Sequence, residues 1–466
     1  MTETVATSID IAGAVEHLQA LIRIPSVNPP GDRDAAAGHD SSGGETAAAR
    51  YCAEVLTQAG IAAEVLETAP GRGSCFARLA AGGAVRDPEP PLILLSHLDV
   101  VPVEAASWSR DPFGGELVDG VVWGRGAVDM KDMVAMELAV MLALRRDGMP
   151  LRRDVIFAAV ADEEAGGTFG ARHWVDARPD LFSSAAGPAG AALNEVGGYS
   201  MTIGEKRVYG IQVAEKGIIW TRLHATGTPG HGSMPHAENP AIRLANAVSR
   251  LAAAPATGDP PAVVREFFAG IGLGDVANLV PGDPQAAQAA LEARVSDPTL
   301  RRSLGAMLKD TITPTVLRVG TKVNVIPGSG SAEVDVRTLP STDQAAFGRR
   351  LAELAGPDVT VEAVMSLPAI EADPGAPIVN LMREALERAD PDATALPMMI
   401  TPGTDAKALA ELGIPTYGFA PLRLDADMPF LDLFHGNDER VPVSALAFGL
   451  PVLQDVVTRF AAVEGG

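Results

Sequence analysis

Two stretches of this chain are apolar at every position, Leu92-Ile93-Leu94-Leu95 and Val155-Ile156-Phe157-Ala158-Ala159-Val160. A strand without alternation is buried on both faces, the condition of a central parallel strand. Between them, about Asp132 to Arg146 has apolar side chains at helical spacing, with Gly148 and Pro150 as a stop. Strand, helix and strand in this order form a βαβ unit, so the sequence predicts an α/β sheet with helices on both faces. Two earlier helices are expected, about Ile9 to Ile22 and Glu45 to Gln58, joined by a Gly-, Asp- and Ser-rich loop from Gly31 to Gly44.

Past Tyr209 the pattern changes. Gly210 to Thr226 alternates, as half-exposed antiparallel strands do. Asn239-Pro240 opens a helix running to about Ala253, with Asn as cap and Pro in the first turn. Strands are expected at Val316–Val319, Ser331–Arg337 and Val359–Val364, with a helix from about Thr342 to Leu354 between the last two. That β-α-β-β-α-β order describes a small open sheet with helices on one face. The piece from Ala256 to Thr313 fits no element of it and reads as an insertion. After Ala372 the α/β character returns, with a helix Pro377–Arg388, a strand Thr416–Phe419 and a closing helix Val443–Phe460. The expected organisation is one α/β domain with a mixed central sheet, residues 1–207 and 372–466. It is interrupted by a smaller α+β ferredoxin-like domain at 208–371.

Composition excludes several functions. With 37 basic against 59 acidic residues the formal charge is −22, which opposes nucleic-acid binding and a polybasic membrane anchor. An apolar fraction of 47% with 21% charged residues is a globular balance, which excludes a largely disordered chain. Cys52 and Cys75 cannot build a disulfide scaffold, and a reducing compartment is the simpler reading. The first residues show no basic segment followed by an apolar core, and no window is uninterruptedly apolar over the ~18–20 residues of a membrane span. A cytoplasmic protein is expected, with no nucleic-acid or membrane partner.

The polar clusters carry the chemistry. Ser96-His97-Leu98-Asp99 directly follows a buried strand, and ligands collect at the carboxyl ends of strands in open α/β sheets. His97 can bind a metal with Asp99 orienting it, or plug a strand end against a carboxylate. In Gly124-Arg125-Gly126-Ala127-Val128-Asp129 the sixth position is acidic, so a dinucleotide loop is unsuitable. Asp129 serves equally as a helix cap or a cation ligand. Ala161-Asp162-Glu163-Glu164 places three carboxylates at another strand end, where they repel unless a cation sits among them. Leu193-Asn194-Glu195 repeats the pattern with one carboxylate, and Phe434-His435-Gly436 supplies a late imidazole. His97, Asp129, Glu164, Glu195 and His435 make a mixed N/O set suited to zinc, cobalt or manganese. Five protein ligands are too many for one tetrahedral zinc and fit two metals sharing a carboxylate. Neither HExxH nor GxSxG occurs.

Read in order, SHLDVVP, GRGAVDMK, ADEEAGG, LNEVGG, PGHGSMPH, NVIPG, PGTDAK and FHGNDERVP resemble the co-catalytic zinc aminoacylase and carboxypeptidase family. That family includes aminoacylase, glutamate carboxypeptidase, acetylornithine deacetylase, succinyl-diaminopimelate desuccinylase and carnosinase. The C-terminal motifs look closest to the aminoacylase and carboxypeptidase S-like branch. The resemblance implies a two-zinc catalytic domain and makes the inserted domain a lid through which a homodimer forms. It implies that His97 and Glu195 bind one zinc, Glu164 and His435 the other, with Asp129 bridging and a cis peptide after it. Glu163 becomes the general base of amide hydrolysis, and Asp99 supports His97. His231 becomes an oxyanion donor, often lent by the partner subunit. Asn324 and Arg337 become substrate contacts, Arg337 as a fork for a carboxylate, and Gly403 and Thr404 line the pocket.

The implied substrate is a small N-acyl amino acid or short peptide with a free carboxylate. The region Met365 to Ile370 lacks the second Arg of glutamate carboxypeptidase-like members, which disfavours a dicarboxylate. Deacylase and carboxypeptidase or dipeptidase readings share the same metal ligands. A catalytically silent binding protein would lack a ligand or the base, and none is missing here. A related metallo-aminopeptidase usually lacks a GHGS-type lid histidine.

Overall fold

The computed structural model describes residues 9–28, 44–82, 85 and 87–463. The expected Gly31–Gly44 loop lies outside the described residues except for Gly44. The chain divides into two compact units. The first comprises residues up to Val213, Ala372–Met398 and Thr404 onward; the second comprises Ala214–Glu371 and Met399–Gly403. The division falls after Val213 because the strand Lys206–Glu215 runs on past the expected boundary, pairing with Ser200–Ile203 and, at Gln212, with Thr416–Gly418.

The main sheet of the first unit is mixed. Its path runs Ala63–Ala69, Arg72–Leu79, Arg153–Val160, Glu89–His97, Ala191–Asn194, Thr416–Gly418, Lys206–Glu215 and Ser200–Ile203. The four strands from Arg153–Val160 to Thr416–Gly418 are mutually parallel, and antiparallel pairs flank them. The two fully apolar runs pair in register, Leu92 against Val155 and Leu95 against Ala158. Both faces are covered. On one, Phe76, Ile93, Leu95, Ile156, Ala158, Trp174 and Phe182 form a buried cluster. The helix Lys131–Asp147 also packs on the sheet, and Gly148 closes it in the left-handed conformation (φ 60°). The last helix, Val443–Ala461, is long and apolar enough to span a membrane by composition. Here it packs against Lys131–Asp147 and Pro377–Ala389 with Leu446, Leu450, Leu453 and Val457 buried, as a core helix does.

The second unit contains a four-stranded antiparallel sheet, in the order Thr311–Val319, Ser329–Thr338, Gly217–Thr226, Thr360–Leu367. Helices Pro240–Ala252 and Gln344–Ala355 bury Leu244, Ala247, Leu251, Phe347 and Leu351 against it. This is the ferredoxin-like β-α-β-β-α-β arrangement. The inserted segment is helical: Ala262–Gly270, Gly274–Leu279, Pro284–Arg294 and Pro298–Met307, around Phe267, Phe268, Leu291 and Leu304. Lys216 anchors it, its buried Nζ donating to the carbonyls of Ala306 (2.9 Å) and Lys309 (2.6 Å) at the end of the last of these helices. Those carbonyls have no partner within a helix, so a hydrogen-bond donor is the complement they lack.

Candidate metal centre

Parallel strands deliver their next residues to one edge of the sheet. His97 ends Glu89–His97, Glu163 and Glu164 follow Arg153–Val160, and Glu195 follows Ala191–Asn194. Asp129 sits just before the helix Lys131–Asp147, and the Asp129–Met130 peptide is cis. His435 comes from the loop before the strand Arg440–Pro442. Asp162, Val196 and His435, all non-glycine, have positive φ (69°, 54° and 59°). Backbone in that region is unfavourable for such residues and persists where the surroundings over-determine it, as at functional sites.

Asp129 lies between the two imidazoles. Its Oδ1 is 3.2 Å from His97 Nε2 and its Oδ2 is 3.2 Å from His435 Nε2. Glu195 Oε2 is 3.5 Å from His97 Nε2, and Glu164 Oε2 is 3.0 Å from His435 Nε2. One ligand atom each from His97, Asp129 and Glu164 lies within 4.8 Å of the others, and so do atoms of His97, Glu163 and Glu195. Glu163 thus stands beside the His97–Glu195 pair.

The donor set fits divalent cations. Ligands of a tetrahedral zinc at roughly 2.0–2.1 Å lie about 3.3–3.4 Å apart, close to the contacts above. His97 Nδ1 faces the main-chain carbonyl of Asp99 at 3.0 Å, so that nitrogen carries the proton. Nε2 of the neutral ring then meets two carboxylate oxygens lone pair to lone pair, and only a cation or a second proton makes that contact attractive. Glu164 Oε1 is buried with no hydrogen-bond partner among the described residues.

The electrostatics say the same. Burial, then the Glu195 carboxylate, pushes Glu163 well above the usual range. Burial raises Glu195 to about 7, and burial together with Asp129 raises Glu164. Hydrogen bonds to Asp129 and Glu164 raise His435 to about 10. Burial works against the Asp129 carboxylate, but His435 and His97 outweigh it and hold its pKa down. Acids crowded this way are relieved by bound positive charge.

Asp99 ties the cluster together. Its Oδ1 accepts from the Glu163 N–H (3.1 Å), and its Oδ2 from the Glu164 N–H (3.0 Å) and Asn28 Nδ2 (2.8 Å). Asn28 also donates to Asp162 Oδ1 and accepts from Arg72, which is paired with Glu45. Asp405 is a buried carboxylate whose field reaches Glu163, and a Cβ on Gly167 would meet its Oδ1 at 3.1 Å. The sequence reading gave no role to Asn28, Arg72, Asp162, Asp405 or Glu439. Asp405, Asp162 and Glu439 stand inside motifs quoted for other residues, and SVNPP contains Asn28.

The remaining expected site residues are placed as follows. Thr404 is buried and accepts from Asn194 Nδ2 at 3.0 Å; Gly403 precedes it in the second unit. His231 and Asn324 are exposed and adjacent, on a ribbon where the Gly232 N–H donates to the Asn324 carbonyl (2.8 Å) and His231 pairs with Val325. His231 Nδ1 is 2.8 Å from Ser233 Oγ. Arg337 holds Asp335 with two donors, at 2.8 and 3.1 Å.

The family model described as peptidase family M20/M25/M40 matches residues 93–459, which takes in every residue of the cluster. The chain belongs to this family. It is a metallohydrolase. Among curated relatives, succinyl-diaminopimelate desuccinylase of Methylorubrum populi is 34% identical over 304 residues, 62% of this chain and 70% of the relative. Aminoacylase-1 of Sus scrofa is 28% identical over 432 residues, 90% of each chain. The M20 family metallo-carboxypeptidase Sso-CP2 of Sulfolobus solfataricus superposes with a TM-score of 0.69 at 17% identity, covering 95% of this chain and 98% of that one. At that identity it shares the family fold.

Proposed function

We propose that this metallohydrolase cleaves the amide bond of N-acyl amino acids or short peptides bearing a free carboxylate. The observation that carries the reading is Asp129, whose two oxygens each face a different imidazole, each imidazole with its own second carboxylate. His97, Glu195 and Asp129 would hold one divalent ion, and His435, Glu164 and Asp129 the other, with zinc the best match to the N/O set. Such ions supply Lewis acidity and make water acidic enough to attack at neutral pH. Glu163 is the base: it takes the proton of the attacking water and returns it to the departing amine nitrogen. His97 is fixed through Nδ1, and Asp99 holds the Glu163–Glu164 backbone so that base and ligand stay in step. His231 donates to the oxyanion. Asn324, Gly403 and Thr404 contact substrate, and Arg337 takes the substrate carboxylate by exchange with Asp335.

Residues 1–207 and 372–466 act as the catalytic domain, and 208–371 as a lid and dimer-forming domain. A homodimer in the cytoplasm fits the lid histidine's exposure and two buried, unpaired cysteines. Two relatives carry acyl-removing names, desuccinylase and aminoacylase, which favours deacylation over peptide cleavage. A screen of acetyl-, longer acyl- and aminoacyl-amino acids against zinc-loaded enzyme tests the substrate class. Glu163→Ala should keep its metal and lose about 10²–10⁴-fold in turnover. Undiminished turnover refutes the base assignment.

A further inference from the structure

The loop that carries Asp129 is held by a residue from far along the chain. Glu439 is fully buried. Its Oε1 accepts from the backbone N–H groups of Val128 (2.8 Å) and Asp129 (3.1 Å). Its Oε2 accepts from the Gly126 N–H (3.0 Å) and the Arg125 guanidinium (2.7 Å). The main-chain carbonyl of Glu439 takes the Gly124 N–H at 2.9 Å, and Arg440–Pro442 continues as a strand against Val121–Trp123. Arg125 is itself buried and lies over the Trp108 ring, 5.1 Å from its centroid. The segment from Gly124 to Asp129 is therefore folded around one carboxylate. Gly126 permits it: its φ is 88°, and a Cβ there would meet Lys131 Cδ at 2.9 Å.

Glu439 shares its loop with His435, while the donors it collects belong to the loop of Asp129. One side chain thus fixes the spacing of two loops whose tips meet at Asp129 Oδ2 and His435 Nε2.

We infer that Glu439 is a positioning residue for the metal centre, a carboxylate that presets the Asp129 backbone so that its two oxygens reach the two imidazoles before any ion arrives. The inference rests on the metal-centre reading above. A ligand already in place gives up little conformational freedom on binding, so affinity is gained by preorganisation. Four donors converge on Glu439, two on each oxygen. A glutamine has one acceptor oxygen, and its NH₂ must face either the Val128 and Asp129 N–H groups or Gly126 and Arg125. Either way donor meets donor, which makes the isosteric change disruptive.

The test is zinc affinity of metal-stripped protein, read by competition with a chromophoric chelator, with circular dichroism as a check of folding. Glu439→Gln should bind zinc about 10–100-fold more weakly, the usual effect of removing a group that orients ligands. The zinc concentration for half-maximal activity should rise by the same factor, with KM for substrate unchanged at saturating metal. A role in packing alone would lower the melting temperature and leave the zinc affinity of folded protein as it was, and that result overturns the inference. Should Glu439→Gln not fold, Arg125→Lys carries the test: it keeps the charge but withdraws the guanidinium contact. About ten-fold weaker zinc binding is then expected, the low end of that range, and unchanged affinity overturns the inference. Wild-type protein that binds no zinc overturns the metal-centre reading as well. Wild-type binding with an unaltered variant overturns only the role of Glu439.

Discussion

Replacing Asp99 by alanine should separate the two halves of the metal centre. Its carboxylate is wholly buried and accepts from Glu163 N–H, Glu164 N–H and Asn28. Asn28 keeps a second acceptor in Asp162 Oδ1 at 3.3 Å. The two backbone donors have no such alternative in the contacts of this loop, and each stranded N–H costs about 1–3 kcal/mol. A water entering the vacated space recovers part of that, so the fold should lose about 2–4 kcal/mol. His97 is affected less. Its Nδ1 lies 3.0 Å from the main-chain carbonyl of Asp99 and 3.5 Å from the carboxylate, so the bond that fixes its tautomer survives. Glu164, in contrast, loses the anchor of its own N–H. The ion proposed for His435 and Glu164 should bind about 10–100-fold more weakly, while the one proposed for His97 and Glu195 stays. Metal per chain, measured by elemental analysis after dialysis against graded zinc, should show a step at one ion where wild type shows two. Loss of both ions together, loss from the His97 side first, or retention of both at wild-type affinity would refute the reasoning.

His231→Ala should lower kcat by about 10²-fold or more, the size of a lost oxyanion donor. Mixing it with Glu163→Ala chains should restore part of the rate if a dimer lends this histidine, and no recovery after subunit exchange counts against sharing. Arg337→Ala should raise KM for substrates with a free carboxylate more than for their amides; equal losses remove its assigned role. Zinc at 100 times its Kd should stabilise the stripped protein by about 2.7 kcal/mol per independent site, and identical melting with and without zinc would contradict a metal centre. Burial lowers Lys216 to about 7. Its unfolded value is near 10.4, so between the two the unfolded chain binds more protons and stability rises with pH, by up to about 1.4 kcal/mol per unit. Lys216→Met should flatten that slope above pH 7, and an unchanged slope in urea titrations would be the contrary result.

The elements that sequence reading locates best are those whose pattern is local. Leu92–Leu95 and Val155–Val160 lie in central parallel strands because nothing polar interrupts them. The clusters after those strands converge because parallel strands share a carboxyl edge. The inserted segment was less legible, yet its helix starts were in view. Asp283-Pro284 and Asp297-Pro298 are cap-and-proline pairs, and both Asp side chains accept from the third residue on, Ala286 and Leu300. Those helices are short, and the apolar residues of Pro284–Arg294 give a weak period, so the segment reads as irregular chain. Glu439 was invisible for another reason. Its partners lie at 125–129, and no local spacing encodes a contact over more than 300 residues. Asn28 and Arg72 are hidden in the same way, since their value depends on where Asp99 and Asp162 come to rest.

The first unit is stitched from separated stretches of chain, with His97 early and His435 late. A ribosome therefore exposes the early imidazole and most of the carboxylates long before the last imidazole exists. The set of candidate ligands is therefore complete only in the finished polypeptide. A cut between the stretches would leave neither piece with the full set of candidate ligands.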